Sequence, residues 1–208
     1  MDFPVKYKSE RDVEIPLLID FIKKCRDIDK VLDVGCARSI YLKQVRKLVR
    51  IFECIDMEFD KKANLFLDNY FIGDVTESNL GSYDLVFAIS VIEHYGVKQR
   101  PASCPLCSQK DLVKKIASLA KKYVFLSFPY GQGAKIPGEF SVIANEELVF
   151  IIGALKEFAL KVRFFGKTSP GVQKSWLEIS QKRADQVVYD GRHGVTCVCI
   201  VEGEKKNV

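Results

Sequence analysis

The chain's 208 residues, 48% hydrophobic and 28% charged, suit one globular domain over 1–208 and exclude wholesale disorder. No apolar run reaches the ~18 residues that span a bilayer, and the opening MDFPVKYKSE has no apolar signal segment, so a cytoplasmic protein with no membrane partner is expected. The formal net charge of +5 is dispersed, with Lys114, Lys115, Lys121 and Lys122 opposite an apolar helix stripe, which argues against a nucleic-acid face.

Pro16–Arg26 places Leu18, Phe21, Ile22 and Cys25 on one helical face, with Pro16 in the first turn, so a helix over about 14–27 is expected ahead of a core over about 30–203. VLDV (31–34) reads as a buried strand, 39–50 as a helix through Leu42, Val45, Leu48 and Val49, and IFECID (51–56) as the second strand. A short helix over 59–67 and a strand at NYFIGD (69–74) follow. DLVFAI (84–89) is apolar on both faces, as a central parallel strand requires. Asp111–Lys122 carries a helical stripe of Leu112, Val113, Ile116, Leu119 and Ala120 and feeds a fifth strand, YVFLSF (123–128). Asn145 is placed to cap a helix through Leu148, Val149, Ile152 and Leu155. LKVRFF (160–165) and VTCVCIV (195–201) lack a helical crossover, which predicts an antiparallel pair ending the sheet, joined by a segment containing Trp176. This alternation predicts an α/β fold with a mainly parallel sheet. Two stretches interrupt it, 96–108 and 129–143, and both follow strand ends where open α/β sheets bind ligands.

Three signals carry chemistry. Asp33-Val34-Gly35-Cys36-Ala37-Arg38-Ser39 lies between a strand and a helix, where small residues let the backbone approach a ligand. Asp56 ends the second strand 21 positions after Gly35, near the spacing at which an acid meets vicinal ribose hydroxyls. Asp74 ends the third strand, in place to accept from an exocyclic amine. Each Asp is equally a common cap or turn residue; their occurrence at successive strand ends is the signal.

VLDVGCA, ECID, GDVT and YDLVFAISVIEHYG, in that order, resemble the motif series of class I S-adenosylmethionine-dependent methyltransferases, a resemblance that covers about Val31 to Gly131. The resemblance implies a three-layer Rossmann-like sandwich with a seven-stranded sheet, order 3-2-1-4-5-7-6 and strand 7 antiparallel. It implies S-adenosylmethionine as cofactor, with Asp33, Gly35, Cys36 and Ala37 around its methionine part and Asp56 on the ribose. Met57 falls beside the adenine, Asp74 and Val75 at the adenine edge, and Ser90 and Val91 on the wall after strand four. The sequence departs from the family's glycine-rich turn at Ala37 and Ser39. A nicotinamide-binding Rossmann fold fits less well, since two of its three glycines are absent.

Glu93 and His94 follow strand four, facing the expected reaction site, and are the candidate catalytic residues; His94 is the candidate base for a substrate hydroxyl. No Asn/Asp-Pro-Pro-Tyr run follows that strand, which argues against the family's amino-methylating enzymes of adenine or glutamine; SFPYG (127–131) instead resembles family members acting on sugars or small metabolites, which makes Tyr130 either a pocket residue or a loop-packing one. Methyl transfer to a small-molecule acceptor at oxygen is the expected function. The alternatives are a non-catalytic ligand- or partner-binding module and an RNA methyltransferase. Of seven cysteines, Cys104 and Cys107 have zinc-knuckle spacing, and Cys197 and Cys199 share a strand face. One CxxC supplies only half of a tetrahedral site, so core thiols and no metal are expected.

Overall fold

The computed structural model describes residues 9–97, 105–136, 140–167, 176–189 and 195–206. In chain order the elements are α1 (Arg11–Lys24), β1 (Lys30–Val34), α2 (Leu42–Arg46), β2 (Ile51–Asp56), α3 (Lys61–Asn64), β3 (Asn69–Ile72) and β4 (Tyr83–Ile89). A 3-10 turn over Ile92–His94 leads on, followed by α4 (Pro105–Leu119), β5 (Ala120–Pro129), a hairpin of β6 (Ala134–Ile136) and β7 (Phe140–Val142), and α5 (Asn145–Ala154). The chain closes with β8 (Phe158–Lys167), β9 (Trp176–Ile179), α6 (Gln181–Ala184) and β10 (Cys197–Lys205).

The main sheet runs β3-β2-β1-β4-β5-β10-β8-β9. β10 is antiparallel to both β5 and β8, whereas β1, β2, β3, β4 and β5 are parallel. Side chains alternate across it with the period of two that a pleated strand imposes. Val31, Phe52, Leu85, Phe87 and Phe125 pack toward α1 and α2, with Leu18, Ile22, Leu42 and Val45. Leu32, Val34, Val86, Ala88 and Leu126 pack toward α4 and α5, with Leu112, Ile116, Leu148 and Ile151. The result is a three-layer α/β arrangement.

Several expectations are corrected. The sheet has eight strands, because β9 adds to the open edge of β8 from Phe164↔Ile179 to Lys167↔Trp176. An unpaired edge leaves backbone donors and acceptors to satisfy, and the segment read as a connector supplies them. The β8–β10 pair is antiparallel as expected but does not end the sheet. The helix expected over 39–50 is only α2, since the chain turns back toward β2 while the Arg46 guanidinium holds the carbonyls of Val49 (3.3 Å) and Arg50 (2.8 Å). α1 begins at Arg11, so Pro16 lies in its second turn. α4 starts at Pro105, inside the expected loop 96–108. Asn145 is the first residue of α5, whose cap is Ala144; the Glu147 carboxylate accepts the Ala144 N–H at 3.0 Å. Among the described residues no helix is long and apolar enough to cross a membrane.

Candidate functional site

β1 delivers the chain to a turn only glycine can make. Gly35 has φ 85°, and a Cβ there would lie 2.4 Å from Val91 Cγ2. Its N–H donates to the Ile55 carbonyl at 2.8 Å, tying the turn to β2. Next, the Ala37 N–H donates to Asp56 Oδ2 (2.8 Å) and the Arg38 N–H to Asp60 Oδ2 (2.8 Å). Asp56 Oδ1 accepts the Glu58 N–H at 3.0 Å. Asp60 also caps α3, and the N–H groups of Arg38, Ala63 and Lys62 hold its carboxyl below the usual range. Arg38 is itself left-handed, φ 63°. Behind the turn, the buried Cys36 forms a disulfide with Cys54 of β2.

Asp33 lies beneath this turn. It is fully buried, accepts the Tyr41 hydroxyl at 3.0 and 3.2 Å, and desolvation pushes its carboxyl well up. Tyr41, not Asp33, reaches the cavity wall.

β4 ends in Ser90, another left-handed residue (φ 51°), whose N–H donates to the Ser127 carbonyl at 3.0 Å. Glu14 of α1 organises this corner. Its Oε1 accepts the hydroxyls of Ser90 and Ser127, both at 2.8 Å, and its Oε2 pairs with Arg11 Nη1 at 2.8 Å. Glu14 is wholly buried, and desolvation raises its carboxyl despite Arg11. Glu93 is buried too; its Oε2 has no hydrogen-bond partner among the described residues, and burial pushes it well up, with the Glu14 charge adding. The Glu93 carbonyl accepts from Ser141 (3.2 Å), which is bonded in turn to Gln109 (2.9 Å), so the turn bearing His94 is held from the α4 and β7 side.

These elements enclose a cavity of about 410 Å³ lined by Arg11, Gly35, Ala37, Tyr41, Asp56, Met57, Ser90, Val91 and His94, among others. A slot of about 20 Å³ shares Gly35, Asp56, Met57 and Val91 with it and adds Asp74, Val75, Tyr95 and Leu112. Asp74 Oδ1 accepts the Thr76 N–H (2.8 Å) and hydroxyl (2.7 Å), and also the Tyr95 hydroxyl. The slot therefore has apolar walls with a carboxylate at its edge. The larger cavity has a carboxylate on one side and the Arg11 cation on another. His94 lies at its rim, edge-on to Phe140 with ring centroids 6.1 Å apart.

The structure thus brings Gly35, Ala37, Asp56, Met57, Asp74, Val75, Ser90, Val91 and His94 to two adjoining cavities, while Asp33, Cys36 and Glu93 lie behind their walls. Tyr130 is a packing residue: 1% exposed, its hydroxyl donates to Asp185 at 2.5 Å and its ring lies tilted by 53° against Phe164, centroids 4.8 Å apart. Trp176 is buried with the α1-side core. Cys104 and the Cys107 side chain lie outside the described residues. Cys197 and Cys199 are buried free thiols, pushed up by desolvation, Cys197 to about 12. Among the described residues no cluster of His, Cys, Asp and Glu is placed to hold a metal. Arg11, Glu14 and Tyr41 were not singled out by sequence. Arg11 and Glu14 sit at i and i+3 on a surface helix, a spacing common in solvated ion pairs, and nothing in it announces a buried wall.

No known family's sequence profile and no curated protein matches the chain. Solved structures do. The fold is that of S-adenosylmethionine-dependent methyltransferases. The magnesium protoporphyrin IX methyltransferase of Synechocystis PCC 6803, solved with bound SAM, is 15% identical, with TM-score 0.62 over 99% of this chain and 87% of that one. The N-methyltransferase NodS of Bradyrhizobium japonicum WM9, in complex with S-adenosyl-L-homocysteine, is 10% identical, with TM-score 0.59 over 95% and 88%. A SAM-dependent methyltransferase from Archaeoglobus fulgidus is 18% identical, with TM-score 0.59 over 95% and 96%.

Proposed function

We propose that the protein transfers the methyl group of S-adenosylmethionine to a small hydroxylic acceptor, a sugar or other metabolite. The observation that carries this reading is the pair Asp56 and Asp74, on neighbouring strand ends and facing adjoining cavities closed by a turn that only Gly35 can make. The residues fit the cofactor. Asp56 already accepts two N–H groups, but a carboxylate has about four acceptor positions, which leaves room for two ribose hydroxyls. Met57, Val75, Val91 and Leu112 give the slot the apolar walls on which an aromatic base would pack, with Asp74 at its edge, and its volume of about 20 Å³ must widen to admit one. Arg11 provides the cation for the amino-acid carboxylate, held in place by Glu14.

When bound, the cofactor supplies an activated methyl group. The chain's own task is then alignment and proton acceptance. The His94 imidazole, at the cavity rim, takes the acceptor's hydroxyl proton. Glu93, buried under the same turn, lines neither cavity and so is not placed to touch substrate. The names of the solved neighbours include magnesium protoporphyrin IX, a small molecule, which supports an acceptor of that class.

The test is label transfer from methyl-labelled S-adenosylmethionine to a low-molecular-weight extract. Labelled small-molecule product is expected, and His94→Ala should lower turnover by about 100-fold with cofactor affinity little changed. Label appearing only in macromolecules would contradict the proposal.

A further inference from the structure

Cys36 and Cys54 stand at informative places: one between Gly35 and Ala37 in the turn, the other two residues before Asp56. Their Cα atoms are 6.2 Å apart, within the span of a disulfide, and the sulfurs are bonded. Both are fully buried among the apolar residues on the α1 side of the sheet. The bond therefore runs behind the turn, whereas the Ala37 N–H meets Asp56 on the cavity side. The turn is fastened to β2 three times, by the Gly35 N–H on the Ile55 carbonyl, by the Ala37 N–H on Asp56 and by the disulfide, and only the disulfide responds to thiols. Just beyond it, Arg38 holds a left-handed φ of 63°, a conformation that costs a non-glycine residue free energy and persists only where its surroundings enforce it. Asp60 accepts the Arg38 N–H at 2.8 Å and also holds this shape, so opening the disulfide removes one of its restraints and would lower the population that fits a ligand.

We propose that Cys36–Cys54 is a redox latch on cofactor affinity: the disulfide holds the turn in its binding shape, and the dithiol loosens it. This rests on the cofactor reading given above. The oxidant is a low-molecular-weight disulfide such as oxidised glutathione. One cysteine thiolate attacks it, forming a mixed disulfide and releasing one small thiol. The second cysteine then attacks the protein sulfur and releases the other. The protein pair loses two electrons, the small disulfide gains them, and the two protons leave on the two small thiols. Because both sulfurs are buried, exchange requires the turn to swing out, so an occupied cavity slows it in either direction. By linkage, whatever factor the disulfide adds to cofactor affinity, bound cofactor adds to the disulfide's stability.

The test is calorimetric titration of S-adenosylhomocysteine into the full chain, once oxidised with glutathione disulfide and once reduced with dithiothreitol. Thiol counts and intact mass report the state of the pair. The oxidised form should bind about three- to tenfold tighter, and Cys54→Ser should show the weaker value in both conditions. Equal affinity of oxidised and reduced wild type overturns the latch alone, and that comparison needs no variant. A Cys54→Ser protein that still responds to reductant also overturns it. Binding in neither form overturns the cofactor reading and the latch with it.

Discussion

The two halves of the sheet end differently. β1, β2 and β4 run in one direction, so their carboxyl ends come side by side and each chain must leave through a turn. Those turns carry Gly35, Asp56 and Ser90, and the space between them is the main cavity. On the other side β10 is reversed. Its first residues lie beside the end of β5, where the Tyr130 N–H donates to the Cys197 carbonyl at 3.0 Å and the Tyr130 hydroxyl closes on Asp185. Reversal fills with backbone the place that parallel neighbours leave open. A cleft forms in one half, where β1 and β4 send their connections to opposite sides of the sheet, and a seal in the other, where β10 is reversed.

Glu14 lies where the halves meet, bonded to Ser90 after β4 and Ser127 on β5. Glu14→Ala strands two hydroxyls and leaves Arg11 without its partner, so it should cost roughly 2–3 kcal/mol in chemical denaturation. It should also weaken S-adenosylhomocysteine binding, because Arg11 is no longer aimed. Unchanged binding in a destabilised variant would confine Glu14 to the seal.

Glu93 offers a pH-resolved test of the cleft side. Its folded carboxyl is raised well above the ordinary 4.5, so the folded state holds its proton more tightly than the unfolded one. Stability attributable to this group is therefore greatest below 4.5 and is lost as pH rises toward the raised value. Glu93→Gln removes that loss. It should raise the melting temperature near pH 8, and the gain should vanish near pH 4. A gain independent of pH would mean that Glu93 is not the titrating group. On the sealed side Tyr130→Phe should have the smallest effect: about 1 kcal/mol for the lost Asp185 bond, with no change in cofactor affinity.

The sequence was legible where one residue type answers one backbone demand. Gly35 must be glycine because its φ and the neighbouring Val91 leave no room for a side chain, and Asp56 and Asp74 follow at strand ends in readable order. Arg11 and Glu14 were not legible, since helical periodicity in α1 marks the apolar stripe and says nothing of which polar residue turns inward. Trp176–Ile179 is too short, with two exposed central residues, to declare itself a strand before β8 offers an edge. Leu42, Val45, Leu48 and Val49 keep helical spacing through 39–50, yet the return to β2 ends α2 at Arg46. Cys36 and Cys54 are 18 positions apart, and spacing alone does not show that both face the rear of the turn.

Asp56 is the residue on which the cleft turns, since it both fastens Ala37 and faces the larger cavity. Calorimetric titration of S-adenosylhomocysteine into the wild type and Asp56→Ala tests that most directly. Saturable one-site binding is expected for the wild type, weakened about 10- to 100-fold in the variant through loss of charge-assisted hydrogen bonds. Wild-type protein that takes up no S-adenosylhomocysteine, or an Asp56→Ala protein that binds it equally well, would contradict the assignment.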